Sequence, residues 1–357
     1  LTAADALASG RLFTYDQEWR ASLNSTPGAT DSLLSPHLPQ EPLTLAQLAR
    51  FLRKPVATFY QERLQVYFEE LDRVTDDAEP FALDGLAHWQ LQDELIHQAV
   101  LKAGDAGDLV QQLTALTQRM VRRGDLGMGL TERALAERVT EPMEDMHKRY
   151  RELLAHWSDP LEEPLAFHYQ WQTDLGPLVV EAQLDRVVSN SNGEKARLLV
   201  SSSELLQGTK KIQYKFHNLL TGWLEHLAAT IVAGPLTTVF IGKRGSITLA
   251  PMDANSASAC LDDILQGWHQ GMTSPLPLTP RAAFAWLDGW HSKKGTDASA
   301  DHAACDAWQS ELNHDPGYLS RSWPEAAEAI ADPGFQHWLQ RLYAPLWQHI
   351  KGQEDSP

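Results

Sequence analysis

The chain has 357 residues, with 30 Lys and Arg against 47 Asp and Glu, a formal net charge of −17, and 43% apolar residues. That composition, with a mean hydropathy of −0.35, fits a soluble globular protein with apolar residues enough for a core, and the acidity argues at first sight against a nucleic-acid binder, because affinity for phosphate needs Lys and Arg. Two cysteines, Cys260 and Cys305, exclude a disulfide scaffold and a four-cysteine zinc or iron–sulfur site, no apolar run is long enough to span a membrane, and a reduced cytoplasmic setting is expected.

Residues 1–42 are rich in Ser, Pro, Thr and Gly and predict an irregular N-terminal arm. A helix follows. Thr44 with Gln47 three residues on is a capping-box pattern, and Leu45, Leu48, Leu52, Val56, Phe59 and Tyr60 recur at helical spacing. Pro55 has no amide hydrogen and restricts its neighbour, so a break is predicted near Lys54. The segment WQLQDELIHQAVLKAG (89–104) reads as a second helix with Leu91, Leu95 and Val100 inward. Helical patterning continues over 107–123 and over a long charged stretch, 131–157.

The period then changes. LAFHYQWQT (165–173) and LVVEAQLDRVV (178–188) have strand propensity, and in the second Val180, Ala182, Leu184 and Val188 alternate with Glu181, Gln183 and Asp185. SNSNGE (189–194) reads as a hairpin connection and ARLLVSS (196–202) as a third strand. An amphipathic helix is predicted through Ile212, Phe216, Leu219, Leu220, Trp223, Leu227 and Ile231, then strands at 236–242 and 246–250 around Lys243-Arg244-Gly245. The remainder is helical, with Pro-rich breaks at 275–280 and 315–324. The expectation is an α/β or α+β fold: helices over about 43–157, a sheet core over about 160–250 and C-terminal helices over about 255–350. Length alone suggests two domains, and a single composite over 43–357 fits as well.

Chemistry must be argued from sites. There is no GxGxxG, HExxH or GxSxG, and no P-loop: Gly242-Lys243 has Thr237 where the first glycine belongs. His302 and Cys305 have ligand-like spacing but are too few to hold a metal. Metal-dependent nucleases set a carboxylate on one strand and an acidic residue and a lysine on the next; the carboxylates hold Mg²⁺ and the lysine helps activate water. Asp185 stands where the first carboxylate belongs. The next strand should end Asp-x-Lys or Glu-x-Lys and reads Leu199-Val200-Ser201-Ser202-Ser203 instead. One carboxylate binds Mg²⁺ poorly, so Asp185 is expected to pair with a neighbouring cation, such as a basic side chain from 210–215.

Several segments in order, LTLAQLARFLRKPVATFYQERLQV (43–66), PFALDGLAHWQLQDELI (80–96), LDRVV (184–188), WLEHLA (223–228) and GMTSPLPLTPRAAFAWL (271–287), resemble the C-terminal domain of RecC, the gamma subunit of exodeoxyribonuclease V (RecBCD). The resemblance runs from about residue 43 to the end. It implies a fold like the nuclease domain of the RecB subunit: a degenerate PD-(D/E)xK, restriction-endonuclease-like core with a mixed sheet and large helical elaborations. The Asp-Tyr-Lys of active relatives would fall on Val200-Ser201-Ser202, leaving Asp185 as a remnant. Their Gln and Tyr are not evident over 216–230, and His97, near the place of their early His, is read as coincidental. The resemblance further implies no cofactor, no membrane and no catalysis by this domain. It implies a helicase–nuclease in recombinational double-strand-break repair, where the subunit holds RecB-type and RecD-type partners, helps split arriving duplex DNA and routes one strand past a Chi-recognition channel. The Chi-scanning part would lie N-terminal, so the opening at Leu1 with no signal-peptide pattern is expected of a C-terminal fragment.

Charge is unevenly spread. Between 195 and 250, Lys195, Arg197, Lys210, Lys211, Lys215, Lys243 and Arg244 face only Glu204 and Glu225, a local +5 that leaves −22 on the rest. These seven cations are the predicted contacts to duplex or fork DNA, made without regard to sequence. Arg50, Arg53, Lys54 and Arg63 form a second candidate set. Two other readings remain open: an active Mg²⁺-dependent nuclease built around Asp185, and a protein-interaction module whose acidic, Trp-rich faces dock partners without touching DNA.

Overall fold

Thr44 opens the first helix as its sequence predicts. Its hydroxyl accepts from the Gln47 amide, and the Gln47 side-chain oxygen accepts from the Thr44 amide, the reciprocal pair of a capping box. The computed structural model describes residues 33–68, 85–126, 130–161, 163–208, 212–292, 295–314 and 316–354. Of the predicted arm, 33–42 form neither helix nor strand, and the earlier part lies outside the described residues. Strand β1 (Leu43–Thr44) leads into α1 (Leu45–Arg53), which stops at Lys54 because the following Pro55 cannot continue it. Helix α2 (Pro55–Thr58) restarts on that proline and ends in one π-helical turn, Phe59–Arg63.

Helix α3 (Gly85–Leu95) likewise runs into a π turn, Ile96–Val100. Helices α4 (Ala106–Arg123), α5 (Leu130–Thr140) and α6 (Met143–His156) complete the helical block. The charged stretch predicted as helical over 131–157 forms two helices, because Pro142 disfavours the helical conformation at Glu141 and supplies no amide.

Strands β2 (Asp159–Pro160), β3 (Leu165–Thr173) and β4 (Gly176–Leu184) follow, and β4 sits between β1, parallel to it, and β3, antiparallel to it. The strand predicted over 178–188 is interrupted. Arg186 has φ +58°, in the left-handed region, which turns the chain after Leu184 and sends β5 (Val187–Ser189) into a different, five-stranded sheet. There β6 (Lys195–Val200) pairs antiparallel with β5 and parallel with β9 (Leu236–Gly242), and the spatial order is β10-β9-β6-β5-β2, with β10 (Gly245–Leu249) at one edge.

Between β6 and β9 lie a short ribbon, β7 (Leu206–Gln207) with β8 (Gln213–Tyr214), a 3₁₀ turn over Phe216–Asn218, and α7 (Leu220–Ala233). The helix predicted from Ile212 therefore begins eight residues late. The segment spends its donors on the chain opposite: the Lys215 amide bonds Leu205 O and the Asn218 side chain bonds Glu204 O. Among the described residues seven helices follow: α8 (Ala254–Gly271), α9 (Pro280–Trp290), α10 (Asp297–His314), α11 (Pro316–Ser322), α12 (Ala326–Ala331), α13 (Pro333–Leu342) and α14 (Ala344–Glu354).

Alternation along β6 and β9 divides the core in two. Ala196, Leu198, Val200, Val239 and Ile241 pack with Leu95, Ile96, Met143 and Met146 of the N-terminal helical block. On the opposite face Leu236 and Phe240 join Phe51, Trp223, Leu227, Trp268 and Phe335. The sheet is thus a middle layer between two helical layers, and Trp223, Trp268 and Trp308 are core residues rather than surface anchors. Helix α7 lies so close to β9 that a Cβ on Gly222 would stand 2.1 Å from a Phe240 ring carbon. No helix among the described residues is long and apolar enough to cross a membrane.

Candidate functional site

The break between β4 and β5 leaves Asp185 at a strand end with its side chain 67% exposed. Its neighbour on β6 is Arg197. In a strand of alternating sides, Ala196, Leu198 and Val200 turn toward the helical block, so Arg197 turns the other way, toward α7. There its Nε donates to the Asp185 carbonyl (3.1 Å), its Nη2 lies 3.7 Å from Asp185 Oδ1, and its Nη1 donates to Glu225 Oε2 (3.2 Å). The Arg197 side chain is 2% exposed. A buried guanidinium persists only when paired, and Asp185 and Glu225 supply the pairing.

This corrects two expectations. Arg197 has no surface left for a DNA phosphate; it is the fixed counter-ion of the two carboxylates. The cation at Asp185 comes from β6 and from Arg186, whose Nε lies 3.7 Å from Asp185 Oδ2, instead of from residues 210–215. Val200, assigned to the lost acidic position, lies in the core of the other sheet face. Ser202, assigned to the lost lysine position, is buried and donates to Asp93 Oδ1 on α3 at 3.4 Å.

His97 is also part of this constellation. Arg186 Nη2 donates to His97 Nε2 (3.2 Å), which leaves His97 Nδ1–H to donate to the Asp93 carbonyl (2.9 Å). A chain of contacts therefore runs Glu225–Arg197–Asp185–Arg186–His97–Asp93–Ser202. A divalent cation needs several oxygen ligands close to it, at about 2.1 Å for Mg²⁺. Here the guanidinium of Arg197 already bridges the two carboxylates, so the residues present do not fit a metal centre.

The remaining predicted cations do not form one patch. Lys195, at the start of β6, donates to the Ala233 carbonyl at the end of α7. The far end of β6 is roughly 17 Å away along the strand, and Lys215, Lys243 and Arg244 gather there around Glu204. Lys215 Nζ bonds Glu204 Oε2 (2.5 Å) and Arg244 Nη2 lies 3.9 Å from Oε1. The Lys215 bond, first, and the nearby Arg244 and Lys243 hold the Glu204 carboxyl below its usual range. Burial lowers the Lys243 ammonium. Lys210 and Lys211 lie outside the described residues.

The helical block adds to this end what the local sequence could not. Arg149 of α6 donates to the carbonyls of Gly242 (2.7 Å) and Lys243 (3.2 Å), clamping the β9–β10 turn. His88 is pushed down by burial and by the charges of Lys243 and Arg138. Trp89, 41% exposed, donates from Nε1 to Ser203 Oγ (3.3 Å). Cations beside an exposed indole at the carboxyl ends of β6 and β9 can meet a phosphate backbone and a base. No periodicity links 88–149 to 200–244, so the local sequence carried no cue to these contacts.

A family model described as RecC C-terminal domain matches residues 40–291. The RecBCD enzyme subunit RecC of Escherichia coli (strain K12) is 26% identical over 359 residues, covering 95% of this chain and 29% of that protein. The chain thus spans less than a third of the length of that relative. The crystal structure of SSO0001 aligns with 64% of this chain and 78% of its own at 11% identity, with a TM-score of 0.26.

Proposed function

The chain belongs to the RecC C-terminal domain family, and from that membership we propose that it is a non-catalytic DNA-handling and scaffolding domain of a cytoplasmic RecBCD-type helicase–nuclease acting in recombinational double-strand-break repair. Arg197 carries the assignment: a buried cation joins Asp185 to Glu225 where an active nuclease would need a metal ion between carboxylates. A five-stranded mixed sheet, with Asp185 at a strand break and β6 beside it, supports a degenerate PD-(D/E)xK core.

Duplex or forked DNA is met at the carboxyl ends of β6 and β9, through Lys215, Lys243 and Arg244 with Arg138 nearby, and the contact is sequence-independent because it is made to phosphates. Lys210 and Lys211 belong to the same predicted set. The acidic remainder faces solvent and the RecB-type and RecD-type subunits.

Binding of the chain to forked DNA at low salt tests this. Lys243→Glu with Arg244→Glu should weaken binding roughly tenfold or more, and Lys195→Glu, at the other end of β6, should leave it near wild type. Absence of binding, or equal sensitivity to all three changes, would replace the DNA reading with that of a protein-interaction module.

A further inference from the structure

The interruption between α1 and α2 opens a cavity that the DNA reading does not use. It encloses about 310 Å³, and Pro55, Val56, Leu278, Pro280 and Leu319 give it apolar walls. Among the described residues its rim carries Arg53, Lys54, His217 and Arg281, with Glu311 as the lining carboxylate. Arg281 Nε lies 3.7 Å from Glu311. Arg53 donates to Thr221 Oγ1 (2.5 Å), and among the described residues no carboxylate forms an ion pair with it, although burial pushes its guanidinium below the ordinary value. The His217 imidazole is held at about 4 by burial, and Arg281, Lys215 and Arg53 act in the same direction. At neutral pH His217 is therefore uncharged, in a positive field. Arg53 is solvent-exposed at the rim, so its guanidinium is open to an anion that the cavity brings alongside.

We infer that this cavity docks an acidic segment of a partner protein, one apolar side chain seated against the aliphatic walls and flanking carboxylates paired with Arg53 and Arg281. The size suits a single large side chain. Arg carboxylate pairs are planar and two-pronged, which fixes the direction of the segment. His217 and Arg281 also line an adjoining cavity of about 360 Å³ with Tyr214, Lys215 and Phe284, so an extended peptide has room for a second side chain. A stacked nucleobase fits less well. The aromatic residue at the cavity, Tyr318, is 9% exposed and packs on Tyr60 and Phe68, and its hydroxyl accepts from Gln61 and from the Phe68 amide, so it offers no open ring face. The inference stands apart from the DNA reading.

Fluorescence anisotropy of the 357-residue chain with labelled short Asp-rich peptides, each with a central Leu, Phe or Trp, tests it at low salt. At least one such peptide should bind. A central Ser, or Asn in place of the Asp residues, should weaken binding roughly tenfold, and so should Arg53→Gln and Arg281→Gln, with Lys195→Gln unchanged. If Arg53→Gln lowers the melting temperature, Arg281→Gln alone decides. Failure of every acidic peptide to bind, binding indifferent to both arginines, or displacement by an oligothymidine whose own affinity falls in the same variants would overturn the proposal.

Discussion

Arg197 decides what the Asp185 region can do. Its two carboxylates differ in exposure, with Glu225 at 28% and Asp185 at 67%, and in distance, 3.2 Å against 3.7 Å. Removing the more buried partner strands a buried charge; removing the exposed one lets water take its place. Glu225→Ala should therefore cost about 3 kcal/mol in urea unfolding at neutral pH, and Asp185→Ala less than about 1 kcal/mol. Equal costs, or the reverse order, would contradict the pairing. In the sequence Arg197 is indistinguishable from a surface cation, because ARLLVSS has apolar neighbours on both sides of it. Only the second sheet neighbour on each side, and an acid on the helix above, make that position internal. Asp185 was legible as a strand-end carboxylate; its partners were not.

At the scale of elements, local chemistry was read well where it is self-contained. The Thr44–Gln47 capping box, the stop before Pro55 and the strands at 165–173 and 236–242 depend on residues a few positions apart. The break at Arg186 escaped because the apolar alternation continues across it and no glycine marks the left-handed turn. The helix expected from Ile212 escaped because the ribbon that replaces it is bonded to 204–207, a tertiary competitor that overrides helical spacing. The approach of α7 to β9 gives a test whose sign separates packing from propensity. Gly222→Ala improves helix propensity by about 1 kcal/mol, yet its Cβ would fall 2.1 Å from Phe240, which is itself buried. The variant should lose about 1–3 kcal/mol of stability in urea unfolding. A neutral or stabilised variant would show that α7 is free to lift off the sheet.

At the scale of the whole molecule, the charge of −17 conceals a partition that the structure redraws. The local excess of cations between 195 and 250 is not one surface: Lys195 and Arg197 serve the fold, and Lys215, Lys243 and Arg244 remain together at the strand ends. The proposed function is that of a domain without catalysis, in which buried Arg197 joins Asp185 to Glu225 where a nuclease would need a metal ion. Incubation of the chain with single-stranded, duplex and forked DNA in Mg²⁺ tests this most directly. The account predicts no cleavage above the buffer control from the wild type or from Asp185→Ala. Mg²⁺-dependent cleavage by the wild type that disappears in Asp185→Ala would contradict it.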